Sequence, residues 1–149
     1  MNARFPVMAI VLAATLAATS ARAADGRELV AMPPMMQEHM LASMRDHLVV
    51  LNEILADLAE EKYAEAAKVA EARLGMSSFG LHGASHMAPH MPKGMREAGE
   101  SLHRAASRFA LLAQEADVER SYAAMRKLTG ALGEMTTACA ACHAGYRIR

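Results

Sequence analysis

Two cysteines and a histidine near the carboxyl end form the clearest chemical pattern in the sequence. In Cys139-Ala140-Ala141-Cys142-His143, two thiols are separated by two residues and followed at once by an imidazole. This is the attachment pattern of c-type haem, in which both thiols form thioethers with the haem vinyl groups and the histidine becomes an axial ligand of the iron. The chain has no other cysteine. The motif therefore predicts one covalent haem c, bound by Cys139, Cys142 and His143.

Other uses of a cysteine pair are a small disulfide loop, a redox-active C-x-x-C, two buried thiols or part of a zinc site. A thioredoxin-type motif needs a strand followed by a helix, and no segment of this sequence is typical of a strand. A zinc site needs two further ligands at suitable spacing, and there is no second C-x-x-C. The motif favours haem over these alternatives.

The amino end has the three parts of a secretory signal peptide. Arg4 gives it a positive charge, an apolar run follows over residues 7–18, and the small-x-small sequence A-R-A ends at Ala23. We predict cleavage after Ala23, which removes residues 1–23 and leaves a single domain over residues 24–149. The apolar run is shorter than the ~20 residues of a membrane span, so a retained anchor is the less favoured alternative and no span is expected after cleavage. Because haem is attached to c-type apoproteins outside the cytoplasmic membrane, the predicted location is the periplasm.

Charge and composition restrict the classes of function. The chain has 16 basic and 16 acidic residues, and loss of Arg4 and Arg22 with the signal leaves a formal charge of −2. There is no basic stripe, so nucleic-acid binding has no support. No residues are typical of a substrate pocket with a general acid and base, and we predict that the protein is not an enzyme. Aromatic residues make up only 4%, which favours helices over strands.

Hydrophobic periodicity predicts four helices. The first begins at Pro33-Pro34 and has an apolar seam at Leu41, Met44, Leu48, Leu51, Leu55 and Leu58. The second runs from Tyr63 to Leu74 with Gly75 as its stop. The third covers residues 92–115, with Met95, Leu102, Phe109 and Leu112 facing inward. The fourth is capped by Asp117 and ends near Tyr146.

The apolar seam of the fourth predicted helix runs into the haem motif. Its members are Met125, Leu128, Leu132, Met135, Cys139 and Cys142. The haem should therefore lie inside the protein, near the carboxyl end of this helix. Short connections make neighbouring helices antiparallel, which brings the start of the first helix to the same end. The predicted fold is all-α, an antiparallel up-down-up-down four-helix bundle with the haem inside.

The chain resembles cytochrome c′ and its six-coordinate, low-spin relatives, which are periplasmic four-helix bundles. The resemblance lies in the export signal, the four predicted helices and, most specifically, the ending C-A-A-C-H-A-G-Y-R over residues 139–147. It implies that His143 is the proximal ligand and that Arg147 lies near the proximal face. It also implies a distal residue from the first helix, Leu in five-coordinate members and Met in six-coordinate ones, and a homodimer through the first two helices.

The first helix offers five candidates for the distal position, namely His39, Met40, Leu41, Met44 and His47. Met44 lies on the apolar seam and is the first choice, with Met40 one turn earlier as the alternative. His39 would give bis-histidine ligation. Leu41 would leave the sixth position of the iron open to a small gas such as nitric oxide. Packing in the core is the ordinary role of methionine at such positions.

Residues 76–95 combine methionines and histidines with several glycines and prolines, a composition that indicates a loop with one short helical stretch. His82, His86 and His90 are spaced by four, and thioether and imidazole together suit copper, Cu(I) in particular. This segment is therefore a candidate copper site. The simpler interpretation is that the histidines bond to loop backbone and the methionines close the mouth of the bundle. His103, on the third helix, is predicted to be partly exposed.

The predicted function is electron transfer in the periplasm, by Fe(II)/Fe(III) cycling of one covalent haem. Its partners would be redox proteins of the respiratory or periplasmic electron-transfer chain. Three alternatives stay open. They are an open-site haem protein that binds small gases, a copper-handling protein that uses segment 76–95, and, more weakly, a peroxidase-like activity with His39 or His47 as acid and base.

Overall fold

Helices make up most of the chain, and two very short strands join its ends. The computed structural model describes residues 25–81 and 83–149, so the predicted signal peptide and His82 lie outside it. Its elements in chain order are β1 (Glu28–Leu29), α1 (Pro34–Ala59), α2 (Tyr63–Arg73), a 3-10 turn over Met76–Ser78, α3 (Ala84–Met87), a 3-10 turn over Ala88–His90, α4 (Lys93–Glu119), α5 (Tyr122–Gly145) and β2 (Tyr146–Arg147). The all-α prediction is confirmed, and the expectation of no strand is corrected by the two-residue strands β1 and β2.

Prolines begin two of the long helices, as the sequence predicted. Pro34 occupies the first position of α1 and Pro92 directly precedes α4. Proline is well placed there because the first N–H groups of a helix have no partner within it. Segment 76–95 is a connection with short helical turns, also as predicted. Across the described ranges 25–81 and 83–149, no helix has the length and apolarity needed to cross a membrane.

The boundary between α4 and α5 differs from the prediction. Asp117 does not cap the last helix but lies inside α4, which ends where Arg120 adopts a left-handed backbone with φ of 44°. Ser121 caps α5, and its Oγ accepts a hydrogen bond from the backbone N–H of Ala124 at 3.0 Å. Aspartate and serine are both good caps, and the sequence offered each of them within four residues.

The core lies where the long helices meet, with α1 packed on α2, α2 on α4 and α4 on α5. Its largest fully buried side chains are Phe109, Ile54, Leu128, Met135 and Val50. Many alanines surround them, among them Ala66, Ala70, Ala106, Ala113 and Ala131. Small residues let helices approach closely, so a few large side chains fill the remaining space.

On α1 the buried face is shifted by one residue from the apolar seam that the sequence predicted. Leu48 is 69% exposed and Leu55 46% exposed, whereas Val50 and Ile54 are fully buried. Both sets are apolar and helically spaced, so periodicity alone did not separate them. Leu58 packs against the core as predicted. The seam of α5 is confirmed, since Leu128 and Met135 are buried there.

One carboxylate holds the turn after α2. Glu71 accepts hydrogen bonds from the Ser77 backbone N–H at 3.1 Å and from the Ser107 hydroxyl at 2.5 Å. A side chain at Gly75 would overlap the Glu71 carboxylate, which explains the glycine at this point. Burial makes the largest contribution and raises the pKa of Glu71, but the hydrogen bonds from Ser107 and Ser77 together outweigh it. The net result is a pKa below the usual 4.5.

The lowered pKa of Glu71 predicts a pH-dependent contribution to stability. A lowered folded-state pKa stabilises the fold above the unfolded value of 4.5 and ceases to do so as the pH falls through the folded value. We expect Glu71→Gln to reduce the free energy of unfolding by about 1–2 kcal/mol near pH 6, and the difference to shrink near pH 3. Urea denaturation at both pH values measures this. Glu65→Gln, which changes an exposed carboxylate of α2, is the control, and a difference independent of pH would contradict the assignment.

Candidate haem site

The last two turns of α5 carry both thiols and the imidazole of the motif. Cys139 and Cys142 are free and half-buried, and they lie on the same face of the helix as the buried Met135. Burial raises the pKa of both thiols, so both are protonated at neutral pH. His143 is exposed. One face of α5 therefore presents two reduced thiols with an imidazole beside them.

That face borders a cavity of about 750 Å³ between α5, α1, α4 and the loop before α4. Cys139, Cys142 and His143 all line it, and most of the lining is apolar. Small-molecule and cofactor sites usually occupy about 300–1,000 Å³, with mostly apolar walls and a few polar groups. The three motif residues thus share one cavity of suitable size.

The first half of α1 forms another wall of the cavity that the cysteines line. All five distal candidates line the cavity: His39, Met40, Leu41, Met44 and His47. His39 is exposed, and the other four are half-buried. Gly83 in the loop approaches this wall, since a Cβ there would be 3.3 Å from His39 Nε2. The structure brings the whole candidate set to the same cavity and does not choose among its members.

Methionines of segment 76–95 form a third wall. Met87, Met91 and Met95 line the cavity, and Met87 and Met95 are only 2% and 5% exposed. Their spacing of four residues was readable in the sequence as one apolar face. Arg96 stabilises this wall, because its guanidinium donates a hydrogen bond to the Met91 carbonyl at 2.6 Å. These methionines therefore contribute to the cavity wall, and closure of the mouth of the bundle by them stays a prediction.

The histidines of the same segment are placed differently. His86 is exposed, His90 is half-buried, and His82 lies outside the described residues. Within the described part of the chain, no group of three or more His, Cys, Asp or Glu side chains is arranged to hold a metal ion. Copper binding by His82, His86 and His90 stays a prediction from the sequence.

His103 is buried, which corrects the expectation that it is partly exposed. It is 5% exposed, and its Nδ1–H donates to the Gly75 carbonyl at 3.2 Å, since a carbonyl oxygen can only accept. Its ring meets those of Phe79 and His47 edge to face, with centroids 4.9 and 6.3 Å away. The turn after α2 folds over this side of α4, which helical periodicity did not reveal. His47, Phe79 and His103 together line the cavity.

Four arginines lie among the cavity residues, namely Arg27, Arg96, Arg147 and Arg149. Arg147 lines the same cavity as the cysteines and His143, and its position near the proximal face of a haem stays a prediction from the family resemblance. Arg27 was missed, because nothing in the sequence relates the start of the described chain to its end. Guanidinium groups pair well with carboxylates. Arg27 already pairs with Asp25 and Arg96 with backbone carbonyls, so Arg147 and Arg149 are the members of this set that can receive acidic groups, such as the two propionates of a haem.

Tyr146, another lining residue, rests on Gly94 in the first turn of α4. A Cβ at Gly94 would overlap the Tyr146 hydroxyl, so we expect Gly94→Ala to displace the ring and lower the free energy of unfolding by about 1–3 kcal/mol. Gly99→Ala is the matched control in the same helix, since a Cβ there meets nothing within 4 Å. It should raise stability by about 0.5–1 kcal/mol. Thermal unfolding compares the two, and equal stability would contradict the proposed contact.

The chain was also compared with models of protein families, with curated proteins and with solved structures, and none of them matches it.

Proposed function

We propose that this chain is an exported c-type cytochrome that carries electrons and is not an enzyme. One observation carries the proposal: the only two cysteines, the histidine that follows them, and Met40 and Met44 of α1 line the same cavity. Cys139 and Cys142 would hold the haem through thioethers, and His143 would be the proximal ligand. When bound, the haem supplies an iron that takes up and releases one electron.

The residues present fit that group. The two thiols share a face of α5 and are half-buried, so a covalently attached ring would lie against apolar walls instead of water. Arg147 and Arg149, which line the cavity, would supply donors for the propionates. Burial disfavours the more highly charged state of the iron and so contributes to the reduction potential, together with the axial ligands. The role of the chain is thus to hold, desolvate and ligate the haem.

We propose Met44 as the distal ligand, with Met40 as the alternative. Both thioethers belong to the half-buried wall of α1 and line the same cavity as the cysteines. Methionine opposite histidine raises the reduction potential of a haem iron and suits an electron carrier. Leu41 lines the same cavity. If Leu41 and not a methionine faces the iron, the same fold becomes a receptor for small gases.

The four long helices are proposed to run up, down, up and down, with the haem near the carboxyl end of α5. Two observations support this order: the connections between neighbouring helices are short, and charged side chains on neighbouring helices form ion pairs. Only residues 60–62 connect α1 to α2, and only residues 120–121 connect α4 to α5. Arg73 near the end of α2 pairs with Asp46 and Glu53 of α1, at 2.5 and 2.8 Å. Arg108 of α4 pairs with Glu134 of α5 at 2.8 Å. Antiparallel neighbours bring these positions together.

The proposed setting is the periplasm, where haem attachment takes place and where soluble redox proteins would exchange electrons with this one. Support comes from the predicted signal over residues 1–23 and from the motif. The homodimer implied by the family resemblance belongs to the same proposal, and the exposed apolar side chains of α1, Leu48, Val49 and Leu55, supply a surface for it.

The test is to express the full chain in a bacterium that attaches c-type haem, and to purify it from the periplasm. We expect the intact mass of residues 24–149 plus one haem that denaturation does not remove. The ferrous protein should have a sharp low-spin α band. Exported protein that carries no haem, and whose two thiols both react with an alkylating reagent, would overturn the proposal.

A further inference from the structure

The first six described residues, 25–30, form a strap across the carboxyl end of the chain. Within this strap β1 pairs in parallel with β2, so that Glu28 lies beside Tyr146 and Leu29 beside Arg147. The backbone N–H of Val30 donates to the Arg147 carbonyl at 2.8 Å, and the Val30 side chain is buried. The strap is therefore attached to the segment that directly follows the haem motif.

Arg27 joins the strap to the last turn of α5. Its guanidinium donates to the backbone carbonyl of His143 at 3.4 Å. The last four carbonyls of a helix have no partner within the helix, and positive charge is favourable at that end. The His143 side chain is exposed, so restraint on the backbone bears directly on where its imidazole lies.

Asp25 orients Arg27. Its two carboxylate oxygens accept from Arg27 Nε at 2.9 Å and Nη2 at 2.7 Å, which is a bidentate pair of fixed geometry. The same carboxylate lies 3.6 Å from Arg147 Nε. Arg27 and Arg147 both line the cavity. The Asp25 carboxylate is thus close to two guanidinium groups that line the cavity, that of Arg27 in the strap and that of Arg147 in β2.

We infer that Asp25 is a positioning residue of the haem site, which acts through Arg27 and Arg147 on the backbone that carries His143. The inference deepens the proposed function and rests on it for the role of His143. It adds the strap to a site that otherwise consists of α1, α4, α5 and the loop. The effect of Asp25 would be on the orientation of the His143 imidazole.

The test uses four variants of the chain, each prepared with and without haem. Asp25→Asn and Arg27→Gln remove the proposed contacts and are compared with two controls. Glu28→Gln removes an exposed carboxylate of the same strap and controls for charge alone, and Asp25→Glu is the conservative rescue. Hydrogen exchange reports two amides. The Val30 amide donates to the Arg147 carbonyl and joins the strap to β2, and the Tyr146 amide donates to the Cys142 carbonyl at the end of α5. Electron paramagnetic resonance of the ferric protein reports g values that respond to the orientation of the axial imidazole.

We expect Asp25→Asn and Arg27→Gln to speed exchange of both amides about two- to fivefold, the range for a half-exposed ion pair. The same two variants should shift the g values, while Glu28→Gln leaves both readouts unchanged and Asp25→Glu restores them. Wild-type exchange and g values in Asp25→Asn, or equal changes in Glu28→Gln, would overturn the inference. A wild-type chain that binds no haem overturns the proposed function instead, and exchange in the haem-free chain still decides whether Asp25 holds the strap.

Discussion

Met44→Leu is expected to convert the haem-loaded protein from a low-spin form to a high-spin form that binds carbon monoxide. Leucine has nearly the volume of methionine, so the half-buried wall of α1 should keep its packing at a cost of less than about 1.5 kcal/mol. Leucine has no lone pair to offer the iron, however. The sharp α band of the ferrous spectrum should therefore disappear, and carbon monoxide should shift the spectrum of the variant but not that of the wild type.

Met40→Leu is the matched control, one turn earlier on the same wall of the cavity. It should leave the wild-type spectrum unchanged. If Met40→Leu changes the spectrum and Met44→Leu does not, the distal ligand is Met40. If the wild type is itself high-spin and binds carbon monoxide, neither methionine ligates the iron, Leu41 faces it, and gas binding replaces electron transfer as the function.

Replacing Cys139 and Cys142 together with alanine should have the largest effect on the structure. The exported protein should then carry no covalent haem, and the first half of α1 should lose its support. The buried residues of α1, Val50 and Ile54, are in its second half, and the earlier turns face the cavity. Losing the contacts of two apolar side chains, at about 1.5 kcal/mol each, should speed amide exchange over residues 34–45 on the order of 100-fold.

Hydrogen exchange with mass detection measures this against the core of α4 around Phe109, where we expect a smaller change because that side chain is buried among protein groups. Ala141→Ser alters an exposed residue between the two thiols and should keep both the haem and the protection of α1. Full protection of residues 34–45 in the double variant would show that α1 does not depend on the haem.

Much of the fold was readable from the sequence because strong local signals coincide with the tertiary arrangement. The prolines before α1 and α4, the stop of α2 at Gly75 and the core face of α5 were predicted correctly. Predictions failed where two local solutions were equivalent. Leu51 and Leu55 form as good an apolar face as Val50 and Ile54 do, and only the position of α2 and α4 decides between them. The choice between Asp117 and Ser121 as a helix cap is of the same kind.

The candidate site was predictable to the extent that it depends on one helix. The motif identified the candidate residues of α5. The antiparallel order of the helices then predicted that the start of α1, with its distal candidates, lies near the carboxyl end of α5. Burial of His103 depends on a turn of a different element, and the position of Arg27 depends on a strand of two residues. Neither leaves a periodic signal, because each is produced by contacts between distant parts of the chain.

The strap also has a consequence for the order of folding. Arg27 and His143 are 116 positions apart, and closing a flexible loop of that length costs about 4 kcal/mol in chain entropy. Two short strands and a half-exposed ion pair stabilise too little to offset this cost. The strap can therefore pair with β2 only after the packed helices have brought the two segments close together. The strap should therefore close last and open first. In the proposed cytochrome, Arg27 would then reach the His143 carbonyl only after the helices that form the cavity have packed.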